Sequence, residues 1–127
     1  MGLKMRHDAL KILVARAFKQ AGFDVKIEQA GGLLDRRRPG DEEWVVIRNW
    51  RESTSLTIDV AIIDSTGDTH AAILRSHGVG AAATKYEDRK RAKYSDMKSM
   101  FSPFVIEANG GFGKEARKLV RELERRR

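Results

Sequence analysis

Residues 56–63 read Leu-Thr-Ile-Asp-Val-Ala-Ile-Ile, apolar at nearly every position. A run without polar alternation suits a strand in the middle of a sheet, covered on both faces. Asp59 stands in the middle of that run. A carboxylate there costs several kcal/mol if left unpaired. A bound divalent cation is one way to offset the cost. A solvent-exposed face is the simpler reading, but Ala61 and Ile63 share that face with Asp59.

The rest of the chain supplies partners for such a strand. Leu10, Leu13, Val14, Ala17, Phe18 and Ala21 recur at helical spacing over residues 4–21, and Gly22 stops the helix. Residues 24–29 alternate as a short strand, with Val25 and Ile27 on one face and Lys26 and Glu28 on the other. Residues 30–41, with Gly31, Gly32, Pro39 and Gly40, read as a loop. Residues 44–48 form a second strand and 51–55 a polar turn. After the run at 56–63, a short strand over 69–74 is allowed. A helix is expected over 81–100, a strand over 103–108 and a last helix over 114–127, with Ala116, Leu119, Val120 and Leu123 inward. The expected order is helix, three strands, helix, strand, helix. This is one α/β domain over residues 1–127, without repeats or linkers.

Composition narrows the chemistry. There is no cysteine, which excludes disulfides, thiolate metal sites and a cysteine nucleophile. No apolar run is long enough for a bilayer, and residues 1–16 read as an amphipathic helix instead of a signal peptide. An intracellular protein, in cytoplasm or nucleus and without a membrane partner, is the expectation. The net charge is +7 and the pI about 10.0. Such a balance favours polyanions, above all nucleic acid. The cations cluster at Arg36-Arg37-Arg38, at Arg89-Lys90-Arg91 with Lys93, and at Arg125-Arg126-Arg127.

Three further polar residues interrupt the pattern. Asp41 follows Arg38-Pro39-Gly40 at the start of the second strand, where turn chemistry alone accounts for it. Neighbouring strands could nevertheless bring Asp41 and Asp59 to one cation. Lys90 breaks a helical stripe of Tyr86, Tyr94 and Met97. Snorkelling of its stem out of the stripe accounts for the pattern equally well. Facing two carboxylates and a metal, it would instead orient water or stabilise anionic charge. Glu28 and Glu107 could face the same pocket, and Glu107 could equally cap the Gly110-Gly111 turn. His7, His70 and His77 have no metal-ligand spacing, and there is no nucleophile elbow or P-loop.

Arg38-Pro39-Gly40-Asp41 followed by Ile58-Asp59-Val60-Ala61 resembles the split motif of PD-(D/E)XK, or restriction-endonuclease-like, nucleases. The closer resemblance is to the endonuclease domains of site-specific non-LTR retroelements and their stand-alone relatives. It rests on Arg6-His7, Glu28, Arg38 to Asp41, Asp59-Val60, Lys90-x-x-x-Tyr94, and Phe101, Pro103, Glu107 and Gly110. Each piece is short; their order and spacing carry the likeness. Ala61 stands where the usual nuclease has lysine, and Lys90 would take over from the helix.

The resemblance implies a restriction-endonuclease-like core of helix, three-stranded meander, helix and strand, plus a C-terminal helix. It implies a Mg²⁺- or Mn²⁺-dependent endonuclease acting on DNA. Asp41 and Asp59 would bind metal, with the Val60 carbonyl helping. Lys90 would be catalytic, with Lys93 its rival. Glu28 would hold a second metal or tune the first. Arg6, Arg36, Arg37, Arg38, Arg89, Arg91, Lys93 and Tyr94 would contact nucleic acid. A Holliday-junction resolvase, which works as a homodimer, and a binding module that does not cut are the alternatives.

Overall fold

The computed structural model describes residues 3–29, 43–64, 78–96, 100–108 and 110–125. Asp41, the Arg36-Arg37-Arg38 run, Met97 and the short strand expected at 69–74 lie outside these residues. The described elements are α1 (Leu3–Gln20), β1 (Asp24–Gln29), β2 (Glu43–Arg51), β3 (Thr54–Ile63), α2 (Ala81–Lys93), β4 (Met100–Glu107) and α3 (Lys114–Arg125). They form an α/β domain around a mixed four-stranded sheet in the order β1-β2-β3-β4. The first three strands make an antiparallel meander, and β4 runs parallel to β3. None of the described helices is long and apolar enough to cross a membrane.

Strand alternation sorts the side chains into two cores. Val25, Val45, Ile47, Leu56, Ile58, Val60 and Phe104 pack with Val14 and Phe18 of α1 and Ala116 and Leu119 of α3. On the opposite face Ile63 and Val105 meet Ala82 and Ala83 of α2. The run at 56–63 is therefore covered on both sides, as its lack of alternation implies.

Two local irregularities lengthen the meander beyond the expected strands. The β2–β3 register shifts between Ile47 and Arg51, where Asn49 takes a φ of 54°. This bulge turns Trp50 onto the face of Ile47, where it packs against Phe18 and Phe23. Arg51 then pairs with Thr54 across Glu52 and Ser53, both at positive φ. The expected polar turn is thus a two-residue hairpin whose twist matches the strands. Asn-Gly, the usual signal for it, is absent from this turn, which reads Glu52-Ser53.

The helices also depart from expectation. Lys11 and Ala15 of α1 are buried with Val14 and Phe18, whereas Leu13 is 58 % exposed. Val120 of α3 is likewise exposed while Ala116 and Leu119 are inward. Met100 belongs to β4, not to the end of α2, which closes at Tyr94 through its N–H to the Lys90 carbonyl. The chain must leave the helix there for Phe101 to pair with Thr57 of β3.

Candidate functional site

One face of the sheet gathers the unusual polar residues. Asp59 pairs with Pro103 of β4 and shares its face with Thr57. Thr57 is opposite Val46, which shares its face with Trp44, and Trp44 is opposite Glu28 of β1. Glu28, Trp44, Asp59, Val105 and Glu107 therefore line the side covered by α2.

Asp59 is 1 % exposed. The Lys90 ammonium comes down from α2 and donates to Asp59 Oδ2 at 2.7 Å. Lys90 is itself 6 % exposed, and its Nζ lies 5.4 Å from the centre of the Tyr86 ring. The position follows from helical spacing: Ala83, Glu87, Lys90 and Tyr94 recur on one stripe, and all four are buried. Neither charge has much water, so each gains from the other's opposite sign. Snorkelling is thereby replaced by a buried pair.

Trp44 is fully buried, with Tyr94 edge-on at 5.0 Å and Phe101 at 6.2 Å between ring centres. Its indole N–H has no acceptor among the described residues. One residue on from the Val45–Ile58 pair, Trp44 stands between Glu28 and Asp59. Those two carboxylates sit two strand spacings apart, about 10 Å at the backbone. Among the described residues no cluster of three His, Asp or Glu side chains could hold a metal ion. The described strands thus hold Glu28 apart from Asp59, with Trp44 between them. The place expected for Asp41 lies outside the described residues.

His7 of α1 reaches the strand next to Asp59, with Nε2 2.7 Å from the Val60 carbonyl oxygen. Its Nδ1 lies 3.5 Å from Asp8. The Val60 carbonyl, expected to help hold metal, is thus engaged by His7.

Two glutamates act as caps supplied by neighbouring elements. Glu107 does not close the Gly110-Gly111 turn with its side chain. Its carboxylate accepts the N–H groups of Gly80 and Ala83 at the start of α2. Glu87, fully buried on α2, accepts those of Glu115 and Ala116 at the start of α3, and that of Val105. The Thr84 hydroxyl accepts from Lys114. First-turn N–H groups have no partner inside their own helix, and here acids from elsewhere in the fold provide one. Burial pushes the Glu87 carboxyl above the usual carboxylate range, against the opposing pull of those three N–H bonds. Sequence reasoning missed Glu87. Its one signal was its place three residues before Lys90 on the stripe of Ala83 and Tyr94, which also reads as an ordinary surface pair.

The cations expected at nucleic acid divide. Arg89 and Lys93 are exposed. Arg91 donates to Glu115 and to the Phe101 carbonyl, tying α2 to α3 and to β4. Tyr94, assigned to nucleic-acid contact, is 5 % exposed and packed in the aromatic cluster, because the stripe that carries Lys90 inward carries Tyr94 with it. The side chain of Arg6 lies outside what is described. Comparison with protein-family models, with curated proteins and with solved structures finds no match to this chain.

Proposed function

We propose that the domain is a metal-dependent endonuclease of the restriction-endonuclease-like kind, hydrolysing phosphodiester bonds in DNA. The observation that carries this reading is the buried Lys90–Asp59 pair at 2.7 Å, with Asp59 on the last strand of the meander, beside the parallel strand β4. An acid and an ammonium so placed serve no packing need that a pair of apolar residues would not meet as well. Strongly desolvated ionisable pairs concentrate at functional sites.

In this reading Asp59 and Asp41 would hold Mg²⁺ or Mn²⁺, both hard cations that take carboxylate oxygen. When bound, the metal supplies a water of lowered pKa and neutralises phosphate charge. Lys90 keeps its ammonium beside Asp59, where it orients the attacking water and stabilises developing anionic charge. Lys93, exposed and lying over the Tyr94 ring at 5.1 Å, is a poorer candidate for that role. Glu28 adjusts the field from β1, two strands away. Arg89 and Lys93 face solvent on α2 and are available to phosphates.

The test is nicking of supercoiled plasmid with Mg²⁺ or Mn²⁺, against a chelator control, for the wild-type chain and Asp59→Asn. Metal-dependent nicking lost in a folded Asp59→Asn protein supports the reading. DNA binding without nicking by the wild-type chain overturns it in favour of a binding module with a nuclease-like fold.

A further inference from the structure

The two edges of the sheet differ. The outer edge of β4 is closed. The Phe101 carbonyl takes Arg91, the Pro103 carbonyl takes the Ser102 hydroxyl, and Pro103 has no N–H to offer. The Val105 N–H goes to Glu87 and its carbonyl to Gly113, while the Glu107 N–H goes to Gly111. Among the described residues the only ladder on β1 is the one to β2. An antiparallel pair uses the N–H and C=O groups of alternate residues, so half of those on β1 point away from the sheet. Such an edge is a template for another strand.

We propose that β1 pairs antiparallel with β1 of a second copy of this chain, about a two-fold axis at Ile27. The sequence around that point is self-complementary. Antiparallel pairing centred on Ile27 sets Lys26 opposite Glu28 of the second copy, Glu28 opposite its Lys26, and Ile27 opposite Ile27. Ile27 is 40 % exposed, large for a residue on a core-facing side. Centring on Lys26 instead would oppose like charges. Lys26 and Glu28 lie on the face of Asp59, so each copy would bring a lysine to the edge of the other's candidate site. The pairing rests on the β1 edge and holds whether or not the domain cuts DNA.

The experiment is sedimentation equilibrium of the full chain and three charge variants at micromolar concentration. The wild-type chain is expected to run at twice the chain mass. Lys26→Glu and Glu28→Lys, each placing like charges opposite one another, should weaken self-association by about tenfold or more. The double variant Lys26→Glu/Glu28→Lys restores opposite charges and should regain the dimer. A monomeric wild-type chain overturns the proposal, as does a double variant no tighter than either single one. Circular dichroism shows that each variant is folded before its mass is read.

Discussion

Lys90 Nζ lies 2.7 Å from Asp59 Oδ2, and both side chains are almost wholly removed from water. Removing either partner leaves the other charged and buried. Lys90→Ala and Asp59→Ala should each cost about 3–5 kcal/mol of stability by urea unfolding. Asp59→Asn with Lys90→Met, which removes both charges, should cost less than either alanine variant. A double variant as unstable as the sum of the single ones would remove the pair from the account.

Gly113 lies against the Glu87 carboxylate so closely that a β-carbon there would overlap it. Gly113→Ala should therefore destabilise by about 1–3 kcal/mol. A change below a few tenths in denaturant midpoint analysis would mean that the α3 start can shift freely.

Glu87 itself gives the fold a pH dependence. Its carboxyl titrates above the ordinary range in the folded chain. The folded state therefore binds that proton more tightly than the unfolded state. The resulting stabilisation is complete below the unfolded-state value and is lost as pH rises through the folded one. Glu87→Gln removes this titration. The stability difference between wild type and Glu87→Gln should favour wild type more at acidic pH and shrink towards neutrality, read by thermal melts across pH. A difference that grows with pH has the wrong sign.

Glu52 and Ser53 occupy left-handed backbone that costs an ordinary residue about 1 kcal/mol or more. Glu52→Asn with Ser53→Gly should raise stability by about 1 kcal/mol and leave the β2–β3 register unchanged. A lower melting temperature for this variant would show that the turn residues make contacts of their own.

Arg89 and Lys93 project from α2, and the chain carries a net charge of +7. If DNA is bound, its affinity should fall steeply between low and physiological salt, and replacing both residues with Gln should flatten the slope of log affinity against log salt by about 2. Tyr94→Leu should act on stability, through the Trp44 cluster, and leave that slope alone.

Element order and type were legible from the chain alone, because periodicity is local. The unbroken apolar run of β3 announced a central strand, and the alternation over residues 24–29 a short strand. The stripe that carries Lys90 marked the lysine as out of place but left open whether it faced the sheet or snorkelled to solvent. Other features depended on contacts distant in sequence. Glu87 reads as a surface acid, since what buries it is a helix start 28 residues later. Glu107 reads as a turn cap, since the N–H groups it accepts belong to a helix 24 and 27 residues earlier. Trp50 joins the α1 core only because a bulge at Asn49 reverses the strand's alternation. The sequence thus determined which segments are helix or strand and which residues are out of place within them. The tertiary structure decided which partners those residues meet, because a buried charge is stabilised by whatever the fold brings within hydrogen-bond distance, and no local period records that.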